Sequence, residues 1–168
     1  MPPIHFSHTC CFSGYRPEKL PWGSNEDDER CKTLKCKLAD VVLRVYLRGI
    51  RHYICGMARG ADMYFFDAVA QLREKYPDVT LEAAIPCEEQ ASKWFEAERA
   101  RYFDAVARCD YETILSRQCT QDCMARRNMY MVDNSSILIA VYDGRFGGTM
   151  HTIGYAAKKG LEIIEIRP

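Results

Sequence analysis

Six short apolar runs, separated by longer stretches with helical spacing, constrain this chain more than any other feature of its sequence. The runs are His8–Ser13, His52–Cys55, Val79–Ile85, Glu112–Ser116, Ser136–Tyr142 and Leu161–Ile166. Ser136–Tyr142 is nearly all apolar, as a parallel strand covered on both faces must be. Between the runs, about 27–48 carries Cys31, Leu34, Leu38, Val41, Val42 and Val45 at helical intervals. A second helix opens near Asp62, which could serve as its N-cap, and stops at Pro77. Further helices are predicted over Glu88–Ala107, about 121–133, and from Gly147-Gly148-Thr149 through Lys159. Strand–helix alternation of this kind predicts an α/β fold: a Rossmann-like, doubly wound, mainly parallel sheet with helices on both faces. No linker, repeat or low-complexity segment interrupts it, so residues 1–168 read as one domain.

Charge and cysteine content narrow the function classes. Lys+Arg and Asp+Glu both number 23, for a formal net charge of zero. That balance argues against a nucleic-acid coat protein or a polybasic membrane binder, while leaving room for a local basic pocket. No run approaches the roughly 18 apolar residues of a membrane span. Met1-Pro2-Pro3-Ile4-His5 lacks the basic start of a signal peptide. These readings predict a cytoplasmic protein with no membrane partner; self-association stays open. Nine cysteines lie at 10, 11, 31, 36, 55, 87, 109, 119 and 123 without a CxxC or a zinc-type spacing. They read as reduced thiols, several of them small core hydrophobes, with neither a metal nor a disulfide expected. Cys10-Cys11 and Cys119…Cys123 keep a smaller claim to a redox or metal role.

In open α/β sheets the ligand crevice lies at the carboxyl ends of the strands. Three loops there have the residues to hold an anion. Ser13-Gly14-Tyr15-Arg16-Pro17 follows the first run and offers a close backbone approach and a forked guanidinium. Gly56-Met57-Ala58-Arg59-Gly60-Ala61-Asp62 has the layout of a phosphate-binding turn at a helix start, though not the GxGxxG fingerprint. Asp143-Gly144-Arg145-Phe146-Gly147-Gly148-Thr149 can present backbone N–H groups and a hydroxyl. Each has an ordinary alternative: a tight turn with a solvated arginine, an Asp62 cap, a Thr149 cap. Arg126-Arg127-Asn128 forms a further polar cluster whose simplest reading is a solvated helix face. Trp94 and Tyr102 read as packing groups, and His151 as a surface or capping residue.

Taken together, several segments resemble the YpsA-like family of the SLOG superfamily, the group named for the Smf DNA-processing proteins and the lonely-guy enzymes. They are Ser13–Leu20, Gly56–Asp62, Pro86 with Trp94, Arg127–Asp133 and Gly147-Gly148-Thr149, and they span essentially the whole chain. The family's first motif usually reads threonine-glycine-histidine-arginine-proline; Ser13 and Tyr15 replace its threonine and histidine. This resemblance implies a nucleotide or nucleotide-derived ligand, held by Ser13, Gly14, Arg16, Gly56, Ala58, Arg59, Gly60, Asp62, Arg127, Asn128, Asp143, Gly147, Gly148 and Thr149, with sensing as one role open to such a module. No other cofactor and no metal is implied. Similarity to the lonely-guy motif implies an alternative, hydrolysis of an N-glycosidic or phosphoribosyl bond. Thr152 stands where that motif has its glutamate, and a hydroxyl cannot serve as a carboxylate base. Glu88, Asp62 or Asp143 would have to take over. Similarity to Smf segments implies a second alternative, single-stranded nucleic acid, which the zero net charge opposes.

Overall fold

The computed structural model describes residues 5–168. Its sheet has six parallel strands: β1 (Thr9–Ser13), β2 (His52–Cys55), β3 (Thr80–Ile85), β4 (Tyr111–Ile114), β5 (Ile137–Val141) and β6 (Glu162–Ile166). Five α-helices alternate with them: α1 (Glu29–Leu47), α2 (Ala61–Lys75), α3 (Glu96–Ala107), α4 (Cys123–Asp133) and α5 (Gly148–Lys158). The strand order is β4-β3-β2-β1-β5-β6. From β1 the chain steps outward through β2, β3 and β4. It then crosses back to lay β5 on the other side of β1, with Cys10 opposite Ile137 and Ser13 opposite Ala140. The sequence-based expectation of a doubly wound Rossmann-like sheet is met.

Alternation along the strands builds two cores. Cys10, Phe12, Tyr53, Cys55, Leu81, Ala83, Ile85, Ile137, Ile139 and Val141 join the face covered by α1, α2 and α3. Their neighbours Cys11, Ile54, Ala84, Leu138 and Ala140 turn to the opposite face with Met131, Val132 and Ala156 of α4 and α5. On the first face Phe12 stacks on Phe65 of α2 with centroids 4.6 Å apart.

The second face carries a buried carboxylate. Glu82, fully buried on β3, accepts from His52 Nε2 at 2.7 Å, from Thr113 Oγ1 at 2.7 Å and from the Tyr130 hydroxyl of α4. The other His52 ring nitrogen meets Thr80 Oγ1 at 2.7 Å. A charge buried in a sheet is tolerated only when its acceptors are filled in this way, and here the filling ties α4 to β2, β3 and β4.

Two expectations fail in this region. The helix predicted over Glu88–Ala107 begins only at Glu96. Ahead of it the chain makes separate three-residue turns, with the N–H groups of Gln90, Ser92 and Trp94 donating to Cys87, Glu89 and Ala91. Cys87, Gln90, Ala91 and Trp94 still turn inward at helical spacing, but the backbone hydrogen bonds close isolated i→i+3 turns and no helical ladder forms. The cysteines are not all free thiols either: Cys87 is disulfide-bonded to Cys119, with Cα atoms 5.1 Å apart. The bond joins the end of β3 to the β4–α4 connection, a pairing of loops that sequence spacing could not reveal. Cys10, Cys11, Cys31, Cys55 and Cys123 are buried and free, as small hydrophobes would be.

Burial alone would raise the Glu82 carboxyl, but the hydrogen bonds from His52, Tyr130 and Thr113 outweigh it and hold it below the usual carboxylate range. A depressed folded-state value stabilises above the unfolded value near 4.5, and that contribution disappears as pH falls through the folded value. Glu82→Gln should therefore cost about 1–3 kcal/mol at neutral pH. The gap between variant and wild type should close as denaturation is repeated at progressively lower pH below 4.5. A gap independent of pH would show that the carboxylate charge is not what stabilises the site.

Candidate functional site

The order of the strands leaves one switch point, between β1 and β5, where consecutive connections leave the sheet in opposite directions. A cleft of about 400 Å³ opens there, lined among others by Ser13, Gly14, Arg16, Ala58, Asp62, Arg127, Asn128, Gly148 and Thr149. The first, second and third glycine loops all contribute to it, together with α4.

Gly14 leaves β1 where an added Cβ would lie 2.8 Å from the Ala61 Cβ and from the Phe12 ring. The loop then folds against α2: Ala61 N–H donates to the Tyr15 carbonyl at 3.0 Å. Gly60, at φ +82°, sits so close beneath that a Cβ would approach the Tyr15 carbonyl to 2.7 Å. Only glycine meets both demands. Met57 adopts left-handed backbone at φ 59° while fully buried, a strained conformation of the kind concentrated at binding loops. Gly60, not Asp62, occupies the N-cap position of α2. Asp62 lies in the helix's first turn and turns back, its Oδ2 accepting from Ala58 N–H at 2.9 Å.

Tyr15 locks the first loop to the third. Its hydroxyl donates to Asp143 Oδ1 at 2.6 Å, and its ring lies 5.0 Å from the Arg145 guanidinium carbon and 5.4 Å from Lys19 Nζ. Lys19 Nζ donates to the Phe146 carbonyl at 2.7 Å, and Arg145 donates to the Lys19 carbonyl. Arg145 and then Tyr15 hold the Asp143 carboxyl down to about 2. Asp143 is thus committed to the latch.

Arg127 is the largest departure from expectation. In place of a solvated position it is 4% exposed, with its guanidinium over Gly56. Nη1 donates to the Gly56 carbonyl and, at 3.4 Å, to that of Ala84; Nε donates to Asn128 Oδ1 at 2.8 Å. Burial pushes its pKa down, with Asp62 opposing the shift. Among the described residues no carboxylate lies within ion-pair distance of Arg127 or of Arg16. Nη2 of Arg127 and Nη2 of Arg16 instead converge on one thioether, Met124 Sδ, at 3.6 and 3.7 Å. Beside them α5 begins without a side-chain cap. Ser13 Oγ donates to Thr149 Oγ1 at 3.4 Å, with both residues more than nine-tenths buried.

Four of the expected residues serve the frame of the cleft, and a fifth lies outside it. Gly56 makes room for Arg127, and Gly60 for Tyr15. Gly147 precedes α5 beneath Lys19, and Asp143 is in the latch. Arg59 is paired to Glu18 and, at 3.5 Å, to Glu98, and faces a separate cleft. Conversely Lys19, Met124 and Met131 line the cleft without having been singled out. Met124 sits one turn ahead of Arg127 on α4, so helical spacing would have pointed to it. Thr152 is buried and its hydroxyl bonds back to the Gly148 carbonyl at 2.9 Å. Glu88 is exposed on another cleft, beside Tyr102 and Phe103. Among the described residues no group of His, Cys, Asp and Glu could hold a metal ion, and no helix is long and apolar enough to cross a membrane.

Fold and crevice together define a Rossmann-like α/β domain with its cleft at the strand switch point. Within that class the chain belongs to the YspA SLOG family, whose model matches residues 10–163. It is 24% identical to the UPF0398 protein YpsA of Bacillus subtilis over 150 residues, 88% of this chain and 83% of that protein. A UPF0398 protein of Bacillus cereus is 26% identical over 153 residues, 90% of this chain and 83% of the relative. Among solved structures, DNA processing protein A (DprA) from Streptococcus pneumoniae superposes with a TM-score of 0.62 at 14% identity. That match covers 95% of this chain, which spans about half (50%) of the DprA chain. The protein TM1055, a structural-genomics target, gives 0.55 at 14% identity, covering 92% of this chain and 71% of its own. At such identities the two structures share the fold.

Gly56→Ala tests the seating of Arg127. Its Cβ would stand 2.5 Å from Nη1, so the guanidinium must leave its carbonyl partners. Stability should fall by about 1–3 kcal/mol, the cost of uncompensated buried polar groups. An unchanged denaturation midpoint would mean that Arg127 can relax elsewhere without loss.

Proposed function

We propose that the cleft binds a nucleotide or nucleotide-derived ligand through its phosphate. One observation carries this reading: two guanidiniums, one buried and one exposed, meet over a sulfur with no carboxylate within ion-pair distance among the described residues. Bringing a second positive charge beside a buried one is unfavourable, and an anion between them offsets it. A phosphate also suits the forked donors of arginine. The free N–H groups at the start of α5 and the hydroxyls of Ser13 and Thr149 stand on the other side. A cleft of about 400 Å³ suits a small molecule. Zero net charge favours such a ligand over a nucleic-acid strand. Binding without turnover is the form we favour: Thr152 and Asp143 are engaged in structural hydrogen bonds and Glu88 lies on another cleft, which leaves Asp62 alone of the carboxylates considered for catalysis.

Calorimetric titration with a panel of nucleoside monophosphates, diphosphates and triphosphates tests the reading. Arg16 is exposed and makes no ion pair, so Arg16→Ala should leave stability nearly unchanged. A hydrogen bond to a charged group is worth roughly 1.5–3 kcal/mol. Affinity for the best nucleotide should accordingly drop about tenfold to a hundredfold. Thr149→Val keeps the shape and the backbone donors and should cost less. Equal affinity in wild type and Arg16→Ala would place the phosphate elsewhere and overturn the assignment.

A further inference from the structure

Two carboxylates line the cleft: Glu18, which is exposed and paired to Arg59, and Asp62, which makes no ion pair among the described residues and which nothing in the phosphate-binding reading uses. Asp62 is 5% exposed. Its Oδ2 is filled by Ala58 N–H. Its Oδ1 has no hydrogen-bond partner among the described residues, and it is not among the sealed, unpartnered buried atoms, which are Gln90 Oε1 and Glu98 Oε2. Asp62 lines the cleft together with Arg16 and Arg127. Burial raises the Asp62 carboxyl, while Arg127, the Ala58 N–H and then Arg16 oppose the rise, so both guanidiniums act on it electrostatically.

An anion-binding cleft gains nothing from a second negative charge beside the phosphate. Asp62 and Arg127 attract one another but stand outside ion-pair distance, and the donors of Arg127 go to carbonyls and Asn128, so Asp62 keeps an oxygen unpaired. An unpartnered carboxylate oxygen that is open to the cleft is free to accept a hydrogen bond, and an ionised acceptor makes the stronger kind. A ligand in the cleft can supply that donor in place of water. Because Asp62 shares the cleft with the two guanidiniums and feels both, that donor belongs to the part of the ligand next to the phosphate. In a nucleotide this part is the sugar.

We infer that Asp62 is a specificity-determining residue that accepts a hydrogen bond from a sugar hydroxyl, so that the cleft selects phosphorylated sugars over phosphate esters without hydroxyls. The inference rests on the phosphate-binding reading above and adds the substrate class. One free oxygen accepts one hydroxyl, so a single position of the sugar is read.

The test compares ribose 5-phosphate with isopentyl phosphate, an ester of similar reach and no hydroxyl, using orthophosphate as the common reference. Wild-type protein should bind ribose 5-phosphate about tenfold to a hundredfold more tightly than isopentyl phosphate. Asp62→Asn keeps an acceptor for Ala58 N–H but turns the free oxygen into a donor. The ratio between the two esters should then collapse toward one, while orthophosphate affinity holds or rises, since a negative charge has gone. A purely structural role would weaken all three probes alike and leave the ratio intact, and that result overturns the inference. Should Asp62→Asn not fold, the wild-type ratio decides, parity between the esters being fatal. If orthophosphate and both esters fail to bind wild type, the phosphate reading itself falls, and the inference with it. Titration with adenosine and deoxyadenosine monophosphates then shows whether the hydroxyl read is the one at the 2-position.

Discussion

The seat of the Arg127 guanidinium underlies the rest of the site. Desolvating an arginine without an ion pair is expensive, and the chain offsets this with carbonyl dipoles and an asparagine side chain. Those carbonyls belong to Gly56 and Ala84, at the carboxyl ends of β2 and β3. One side chain of α4 therefore fixes the helix against two strands that lie far from it in sequence. The same seat dictates the residue beneath it, because a side chain at 56 would occupy the guanidinium's place. Tyr130, three residues further along α4, repeats the tie through Glu82 on the same sheet face.

The strand order explains why so many charged groups gather at one place. Only β1 and β5 are neighbours whose connections diverge, so the loop after β1, the start of α5 and the inner end of α4 must face one another. Burying positive charge there is tolerable when the surrounding dipoles are fixed. A carboxylate, Asp62, is set into the same wall.

The fold was legible because its signal is local. Alternating apolar runs specify strands, helical spacing specifies the covering helices, and few chain paths connect such elements. The site was legible in part. Glycines at strand ends pointed to Ser13, Gly14, Gly148 and Thr149, and all four line the cleft. What stayed hidden depends on contacts between distant segments. Arg127 looks solvated on α4 until Gly56 and Ala84 are known to lie under it. Tyr15 looks like a lost histidine until Asp143 is found across the crevice. Asp62 looks like a cap, and the Cys87–Cys119 bond has no spacing to announce it. The stretch 88–95 misled for a different reason. Its composition and its inward-facing positions suit a helix, but its backbone closes i→i+3 turns in place of a helical ladder.

The Tyr15–Asp143 latch bears on how a ligand would be received. Loops around a crevice commonly become ordered only on binding, and the conformational entropy lost then is subtracted from the affinity. Here a phenol, a carboxylate and two cations hold the rims together beforehand, through contacts that do not involve the floor of the cleft. The ordering is already part of the folding free energy. Recognition then needs little rearrangement, and its heat-capacity change should reflect the surface covered by the ligand without an added contribution from loop folding.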